Sequence, residues 1–274
     1  MNEKKYPFVS NPRDSRFLTL RSLQTFHGRS RTGLYIIEGI RHVSRALEHA
    51  APESIFLDPS VLSNRFGKRL AHRLHKDGVP GIRLSHQLYR DLTLASEPQG
   101  IGAVLRQNWT PLNALAPERN TLWIAAESVE SPGNLGTIIR TAEAAGATGL
   151  FALGPDCDPY DPATIRATMG SLFSQKLIKC SPRDFSDWAR SHKVAIVASS
   201  PAGLMDYKAL RYRFPAALVI GSEKLGLSEQ LLECADFVIR IPMKRGCDSI
   251  NVAVATGVLL FEMASQRRGA HLNE

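Results

Sequence analysis

The spacing of apolar residues along the chain predicts alternating strands and helices. Short continuous apolar runs such as LWIAAE, GLFALG and AALVIG are typical of strands in a parallel sheet that is covered on both faces. Other segments, such as IRHVSRALEHA and DFSDWARSHK, have apolar positions every three or four residues and therefore predict helices. The alternation of the two patterns indicates an α/β protein.

The pattern starts twice, which predicts two domains. A basic amphipathic helix over residues 11–30 begins the first run of elements, and the strand PQGIGAVLRQ ends it. The segment WTPLNALAPERN has two prolines and no periodicity, as is typical of a linker. We therefore predict a first domain over 1–108, a linker over 109–120 and a second domain over 121–274, whose last helix spans about 249–266.

Charge is distributed unevenly between these parts. Residues 1–110 hold 17 Lys and Arg against 9 Asp and Glu, whereas the rest of the chain holds 17 against 17. The net charge of +8 therefore belongs to the first part. Such a surplus favours contact with a polyanion such as RNA, although a basic solvated surface would give the same count.

Cysteine and histidine spacing gives no support to a metal site. The four cysteines form no CxxC pair, which argues against a zinc ribbon and fits free thiols in a reducing compartment. His72 and His75 stand on one predicted helix without a nearby thiol or carboxylate, so we interpret them as solvated. No secretory signal or membrane segment is expected, and the cytoplasm is the predicted location.

The first candidate for chemistry is the segment ESVESPGNLGTIIRTAEAAG. It follows a predicted strand, on the side where α/β proteins bind ligands. Asn134 and Gly136 lie at the start of the next helix, and Arg140 follows among small and apolar residues. An arginine in that setting either reaches solvent along its apolar stem or has a partner, and the spacing leaves both possibilities open.

Two further segments also follow predicted strands. In LVIGSEKLGLSEQ, Gly221 ends an apolar strand, and a glycine there lets backbone approach a ligand closely. In IPMKRGCDSINVAVATG, Ser249 is a candidate helix cap, while Asn251 could orient a substrate or fix the loop. The dinucleotide fingerprint GxGxxG is absent, which argues against a nucleotide-dependent oxidoreductase.

Together these segments resemble the three motifs of the SpoU/TrmH branch of the SPOUT RNA methyltransferases. The motifs are N-x-G-x-x-x-R, G-x-E-x-x-G and I-P-M followed by S-[LI]-N-V, and all three occur here in order. The stretch CDPYDPATIRATMGSLF resembles the family between its first two motifs. The first domain, through IIEGIRHVSRAL and PQGIGAV, resembles a ribosomal-protein-like RNA-binding domain. Lys224 and Ile250 depart mildly from the common glycine and leucine.

The resemblance implies a fold and an activity. The fold is an N-terminal ribosomal-protein-like α/β RNA-binding domain, followed by a parallel-sheet SPOUT domain with a deep trefoil knot. The activity is S-adenosylmethionine-dependent methylation of a ribose 2′-hydroxyl in RNA, and the extra domain favours ribosomal RNA. A tRNA 2′-O-methyltransferase, a base methyltransferase and a non-catalytic RNA-binding or ribosome-assembly protein remain alternatives. A homodimer through the C-terminal domain is expected, because the last helix is apolar nearly all round.

Site residues follow from the motif positions. The implied catalytic residues are Arg140, Asn134, Glu223, Ser249 and Asn251. The implied cofactor contacts are Gly221, Ile241, Met243, Ile250 and Ser199. For RNA binding we expect the first domain's basic residues Arg13, Arg16, Arg29, Arg31, Arg69 and Arg73, with Arg29 and Arg31 as leading candidates. Because a guanidinium stays protonated, we favour Arg140 as a clamp on the phosphate and 2′-oxygen over Arg140 as a base.

Overall fold

The computed structural model describes residues 6–154, 156–247 and 249–270. The chain divides into two compact units. The first comprises residues up to Gln107 together with Tyr160–Phe173, and the second comprises Asn108–Pro159 and the residues from Ser174 onward. The segment proposed as a linker therefore packs within the second unit. There Leu115 is buried, and its carbonyl oxygen accepts a hydrogen bond from Nε1 of Trp188.

The first unit is built on a five-stranded mixed sheet. Its strands are β1 (Phe8–Val9), β2 (Leu34–Glu38), β3 (Ser54–Leu57), β4 (Gly81–Leu84) and β5 (Ile101–Arg106). The spatial order is β1-β4-β3-β5-β2, in which β5 runs antiparallel to both of its neighbours. The helices of this unit are α1 (Ser15–Ser22), α2 (Phe26–Thr32), α3 (Ile40–Ala46), α4 (Arg65–Lys76), α5 (His86–Leu92) and α7 (Pro162–Thr168).

The single helix predicted over residues 11–30 is wrong, because the chain forms two helices there. Thr25 interrupts the periodic pattern, and its Oγ1 accepts the N–H of Gly28 at 3.2 Å, which starts α2. Phe17 and Leu23 are buried as the periodicity predicts, whereas Phe26 is 46% exposed. A hydroxyl that can cap a helix therefore outweighs the continuity of apolar spacing here.

The second unit is built on a seven-stranded sheet in which every pair of neighbours is parallel. Its strands are β6 (Leu122–Glu127), β7 (Gly149–Leu153), β8 (Lys176–Cys180), β9 (Ala195–Ser199), β10 (Met205–Asp206), β11 (Ala216–Ile220) and β12 (Phe237–Arg240). Its helices are α6 (Pro132–Ala144), α8 (Pro182–Ser191), α9 (Glu229–Cys234) and α10 (Val252–Ala270). The spatial order is β10-β12-β9-β11-β6-β7-β8.

The core of the second unit explains why its strands are continuous apolar runs. Trp123 and Phe151 project from neighbouring strands onto Phe185 and Trp188 of α8, and the rings of Phe151 and Trp188 lie 4.8 Å apart. All five residues of β7 and β11 are buried. Helices that cover a parallel sheet leave few polar positions along its central strands.

Several short elements have weak sequence patterns and were not predicted, among them helix α7 and strand β8. Helix α7 is short, but Asp161 caps it and Pro162 occupies its first turn, which is the usual signal for a helix start. Strand β8 reads KLIKC and lies at the edge of the sheet, where only Leu177 and Ile178 are buried. None of the helices in the described part of the chain combines the length and apolar character that a membrane span requires.

Candidate active site

The sheet order brings the three motifs to one edge of the second unit. Strands β6 and β11 are neighbours, β9 lies on the other side of β11, and β12 follows β9. Because all of these strands are parallel, their carboxyl ends meet at the same edge. Strands β6, β7 and β8 follow one another toward one edge of the sheet, and the chain then crosses to the other side of β6 to form β9 to β12. Open α/β sheets bind ligands at the carboxyl ends of the strands beside such a reversal of strand order.

A chain of side-chain hydrogen bonds joins all three motifs. Nδ2 of Asn251 donates to Oδ1 of Asn134 at 3.0 Å, and Nδ2 of Asn134 donates to Oε1 of Glu223 at 2.7 Å. Asn134 uses both ends of its amide, so its orientation is fixed by one partner on each side. Three of the five predicted catalytic side chains are therefore connected directly.

Asn251 has a second task, which is to cap the C-terminal helix. Its Oδ1 accepts the backbone N–H of Ala253 at 2.9 Å and that of Val254 at 3.2 Å. Ser249 was the expected cap, and that expectation is wrong. The side chain of Ser249 is exposed and makes no hydrogen bond within the described residues. The asparagine thus ties the start of α10 to the motif that opens α6.

The first motif is held in place by the capping interaction at the start of α6. Oγ of Ser131 accepts the N–H of Asn134 at 3.4 Å, and Pro132 occupies the first turn of α6. Proline suits this position because its missing N–H would have no partner there and its φ is already helical. The side chain of Asn134 therefore leaves the first turn of a helix with fixed geometry.

The second motif forms a closed backbone loop. Ser222 and Gly226 exchange two backbone hydrogen bonds of 3.1 and 3.0 Å, and Oγ of Ser222 accepts the N–H of Leu225 at 3.0 Å. A Cβ on Gly221 would lie 2.2 Å from the carbonyl carbon of Gly226, so no larger residue fits. Glycine is therefore required by the loop itself, whatever the loop binds. The loop in turn presents Glu223 to Asn134.

Arg140 lies outside this network. Its side chain is exposed on α6, and within the described residues it makes no hydrogen bond or ion pair. An exposed guanidinium keeps all five of its donors available for a phosphate or an oxyanion. The structure therefore leaves Arg140 able to bind an external ligand but does not connect it to Asn134 or Glu223.

Four of the five predicted cofactor contacts lie at the ends of three neighbouring strands, and Ile250 lies in the loop before α10. Ser199 ends β9, Gly221 follows β11, and Ile241 and Met243 follow β12. Ile241 and Met243 are half-buried, whereas Ile250 is 38% exposed within a polar loop. This edge of the sheet thus presents the partly exposed apolar side chains of Ile241 and Met243, which suit a ligand with a flat ring and a thioether chain.

One residue of the site was not predicted. Glu127 ends the apolar strand β6 and is only 9% exposed. Its Oε2 accepts the backbone N–H of Ser228 at 2.7 Å, and Ser228 caps α9. The carboxylate therefore fixes the segment that follows the second motif. An acidic residue at the end of a buried strand was the signal that could have identified it.

The predicted RNA contacts of the first unit divide into exposed and buried residues. Arg13, Arg16, Arg31, Arg69 and Arg73 are exposed, although Arg16 forms an ion pair of 2.7 Å with Asp14. Arg29 is different, because it is 2% exposed, donates to the carbonyl oxygen of Leu23 and pairs with Asp161 at 3.2 Å. Its proposed contact with RNA is therefore withdrawn, since its charge is already compensated inside the unit.

No metal centre is evident in the part of the chain that the structure describes. No group of three or more His, Cys, Asp or Glu residues there is arranged to hold a metal ion. His75 packs its ring against that of Tyr6, with centroids 4.7 Å apart. Burial raises the pKa of the Cys157 thiol to about 12 and that of Cys180 to about 12.

Comparison with known proteins identifies the family. Residues 121–261 match the SpoU rRNA Methylase family, and residues 16–103 match the MRM3-like substrate binding domain. The first match covers about half of the chain and contains all three motifs. The chain belongs to the SpoU rRNA methylase family. The assignment based on the three motifs is thereby confirmed, as is an α/β fold with a parallel sheet.

Relatives of this SpoU protein extend over nearly the whole chain. A 23S rRNA (uridine(2479)-2′-O)-methyltransferase of Streptomyces viridochromogenes is 30% identical over 87% of this chain and 85% of its own length. The 23S rRNA (guanosine-2′-O-)-methyltransferase RlmB of Haemophilus influenzae is 30% identical over 85% of this chain and 98% of its own. The AdoMet-bound rRNA methyltransferase from Sinorhizobium meliloti is 32% identical, with a TM-score of 0.85 over 95% of this chain and 98% of its own.

Proposed function

We propose that the protein methylates a ribose 2′-hydroxyl of ribosomal RNA, with S-adenosylmethionine as methyl donor. The observation that carries the proposal is the link Asn251–Asn134–Glu223, which joins the three motifs of the SpoU family at the carboxyl edge of the sheet. The two relatives named as 23S rRNA 2′-O-methyltransferases match both the catalytic segment and the N-terminal segment. A tRNA substrate is less favoured, because both of these relatives are named for ribosomal RNA.

The residues at the strand ends fit this cofactor. Ile241, Met243 and Ile250 would offer apolar surface for an adenine ring and a methionyl chain. Gly221 is itself buried against the backbone of Gly226, at the base of the closed loop of the second motif. Ser199 offers a hydroxyl at the end of β9. When bound, S-adenosylmethionine would supply its sulfonium methyl group for transfer to the 2′-oxygen, with the neutral thioether as the leaving group. The protein must then hold the 2′-hydroxyl in line and keep water out.

Arg140 is proposed to hold the substrate. Its free guanidinium would bind the phosphate next to the target ribose and stabilise negative charge as it develops on the 2′-oxygen. A guanidinium stays protonated in proteins, so we assign the proton to a phosphate oxygen or to water rather than to Arg140. Asn134, Glu223 and Asn251 would keep the pocket in shape, and Ser249 would contact the ligand through its free hydroxyl.

Dimer formation is part of the proposal. Val254, Val258 and Phe261 form a stripe on α10 and are 57%, 38% and 47% exposed. Their spacing of four and three residues places them on one helix face. An apolar stripe of this kind is buried in another copy of the chain, which we propose as the homodimer interface. The trefoil knot of the SPOUT domain also stays a proposal, supported by the likeness to solved SpoU-type structures.

RNA binding is assigned to the first unit. Its exposed arginines at positions 13, 16, 31, 69 and 73 would contact phosphates, which supplies affinity without base selection. The match to a substrate binding domain over residues 16–103 supports this assignment. An enzyme that modifies ribosomal RNA works where that RNA is found, so we propose the cytoplasm as its location.

The proposal is tested by transfer of labelled methyl groups from S-adenosylmethionine to total bacterial RNA, followed by mass spectrometry of the nucleosides. We expect a 2′-O-methylnucleoside in ribosomal RNA. Label in tRNA would move the substrate to the alternative class, and a methylated base would change the reaction type. Absence of both label and S-adenosylmethionine binding would favour a non-catalytic RNA-binding protein.

A further inference from the structure

The first unit contains a cavity of about 240 Å³ that the proposed reaction does not use. Three elements of that unit surround it: the end of β2 with the start of α3, the segment after α5, and helix α7. All of its lining residues belong to the first unit, including those from Tyr160–Phe173. The segment between β7 and β8 thus completes a pocket in the domain that matches a substrate binding domain.

The walls of this cavity are apolar and partly open. Leu92 and Ile165 are buried, whereas Leu94 is 49% exposed and Met169 is 38% exposed. Met169 has a left-handed backbone with φ of 54°, which is uncommon for a residue with a long side chain. The volume lies below the roughly 300 to 1,000 Å³ of pockets that enclose a drug-sized ligand. One planar ring system would fill it, and a larger ligand would extend outside.

Two polar side chains that line the cavity have hydrogen-bonding groups without a partner in the described residues. Nε2 of His42 is buried and has no hydrogen-bond partner within the described residues. Burial lowers the pKa of His42, so the ring is neutral and can either donate or accept a hydrogen bond. Oε1 of Gln99 accepts the N–H of Ile40 at 2.7 Å, which turns the amide toward α3 and leaves its N–H₂ group as a donor. Such groups suit the polar edge of a heterocycle.

Two arginines line the same cavity. Arg41 and Arg166 are both exposed, and Arg166 donates one Nη1 hydrogen bond to the carbonyl oxygen of Leu94. Arg41 has no ion pair within the described residues, so its donors are free. Two carboxylates, Glu38 and Glu97, also line the cavity, and Glu38 already accepts hydrogen bonds from two hydroxyl groups of the same unit. The donors that remain on the arginines fit phosphates attached to a flat apolar ring.

We propose that this cavity receives one unstacked nucleobase of the RNA substrate, with the adjoining phosphates bound by Arg41 and Arg166. The proposal rests on the proposed function, since it assigns a binding site for the same RNA. Sequence-selective RNA recognition generally uses bases that have left the stack, held by apolar side chains and hydrogen bonds to their edges. The exposed arginines elsewhere on the unit are proposed to contact phosphates, whereas this cavity would provide contact with a base.

The test uses the full chain with its methionine methyl groups labelled with ¹³C. The sequence has five methionines, of which Met169 lines the cavity and Met243 follows β12 at the proposed cofactor site. The variants Met169→Leu and Met243→Leu assign the two signals. Each of the four ribonucleoside 5′-monophosphates is titrated, with ribose 5-phosphate as the probe that lacks a base. We expect at least one nucleotide to shift the Met169 signal and ribose 5-phosphate to leave it unchanged.

Variants of the cavity provide the second measurement. Ala95→Phe fills it, and Arg166→Gln removes one phosphate contact, while Ala51→Phe adds the same ring at an exposed position of the same unit. We expect Ala95→Phe to abolish the nucleotide-induced shift of Met169 and to weaken binding of a 23S rRNA transcript at least tenfold. Arg166→Gln should weaken nucleotide binding several-fold, and Ala51→Phe should change neither.

The outcomes separate this proposal from the proposed function. The proposal of a nucleobase in the cavity is overturned if no nucleotide shifts the Met169 signal, if ribose 5-phosphate shifts that signal equally, or if the shift persists in Ala95→Phe. S-adenosylmethionine should shift Met243 in the wild type and in Ala95→Phe alike. A nucleotide shift of Met169 without cofactor binding or methyl transfer would uphold the cavity and contradict the proposed function.

Discussion

Asn251 donates a hydrogen bond to Asn134 across 3.0 Å, although the two residues are 117 positions apart in the chain. The same Asn251 caps α10 through its side-chain oxygen. One side chain therefore joins the start of α10 to the first motif. Asn134 in turn donates to Glu223. A change at Asn251 should therefore affect stability and activity through separable contacts.

Substitution of Asn251 separates its two roles. Asn251→Ala removes both the cap and the bond to Asn134, so we expect a loss of about 1 kcal/mol in the free energy of unfolding together with a fall in methyl transfer. Asn251→Ser keeps a capping oxygen and loses the amide donor. Urea unfolding should then return close to the wild-type value while methyl transfer stays low. Full activity of Asn251→Ser would contradict the role of this hydrogen bond.

Arg29 and Arg31 form a matched pair in which one arginine is buried and one is exposed. Arg29→Ala removes a buried side chain together with its ion pair to the partly exposed Asp161, so we expect a loss of about 2 kcal/mol in the free energy of unfolding. Arg31→Ala should change stability by less than about 0.5 kcal/mol. It should instead weaken binding to RNA and lower the slope of affinity against salt concentration by about one. Unchanged RNA binding in Arg31→Ala would remove this residue from the interface.

Cys247 should be the thiol that reacts first with iodoacetamide at pH 8. It is exposed in the loop between β12 and α10, whereas burial raises the pKa of Cys157 and of Cys180 to about 12. Because the thiolate is the reactive form, those two thiols stay almost wholly protonated at this pH. S-Adenosylmethionine should slow the alkylation of Cys247 several-fold and leave that of Cys234 on α9 unchanged. Equal rates for Cys247 with and without bound cofactor would place the cofactor away from this loop.

The apolar stripe on α10 should hold the dimer together. Val258→Asp places a charge in the middle of the stripe and is expected to give a monomer, as measured by light scattering after gel filtration. Leu18→Asp alters an exposed leucine on α1, 47% exposed, and serves as the matched control. A wild-type protein that is already monomeric would contradict the proposed interface.

The sequence motifs predicted which side chains lie together more completely than they predicted the contacts between those side chains. The resemblance to the family motifs pointed to Asn134, Glu223 and Asn251, and the structure joins these three side chains by hydrogen bonds. Their part in the reaction stays a prediction. The burial of Arg29 could not be predicted, since its partner Asp161 lies 132 residues away. The capping role of Asn251 instead of Ser249 likewise depends on where α10 begins, which the periodicity located only to within a few residues.

Strands with few buried residues were harder to predict than the fully buried strands for a related reason. Central strands such as β11 are buried on both faces and give continuous apolar runs. Strand β8 is at the sheet edge, and strand β4 has only one fully buried residue, Leu84, so neither has a clear pattern. The pairing of β4 with β1 and β3, and of β8 with β7, rather than local sequence, decides their structure.

The most direct test of the central claim is single-turnover methyl transfer to 23S rRNA by Arg140→Ala and Arg140→Lys, with S-adenosylmethionine binding measured alongside by calorimetry. Arg140 has no partner within the described residues, so its removal should leave folding and cofactor binding intact. We predict that Arg140→Ala lowers the transfer rate at least about a hundredfold. Arg140→Lys should recover part of the rate, because lysine keeps the positive charge but lacks the paired N–H donors of a guanidinium. A rate near that of the wild type in Arg140→Ala, with cofactor bound, would contradict the account.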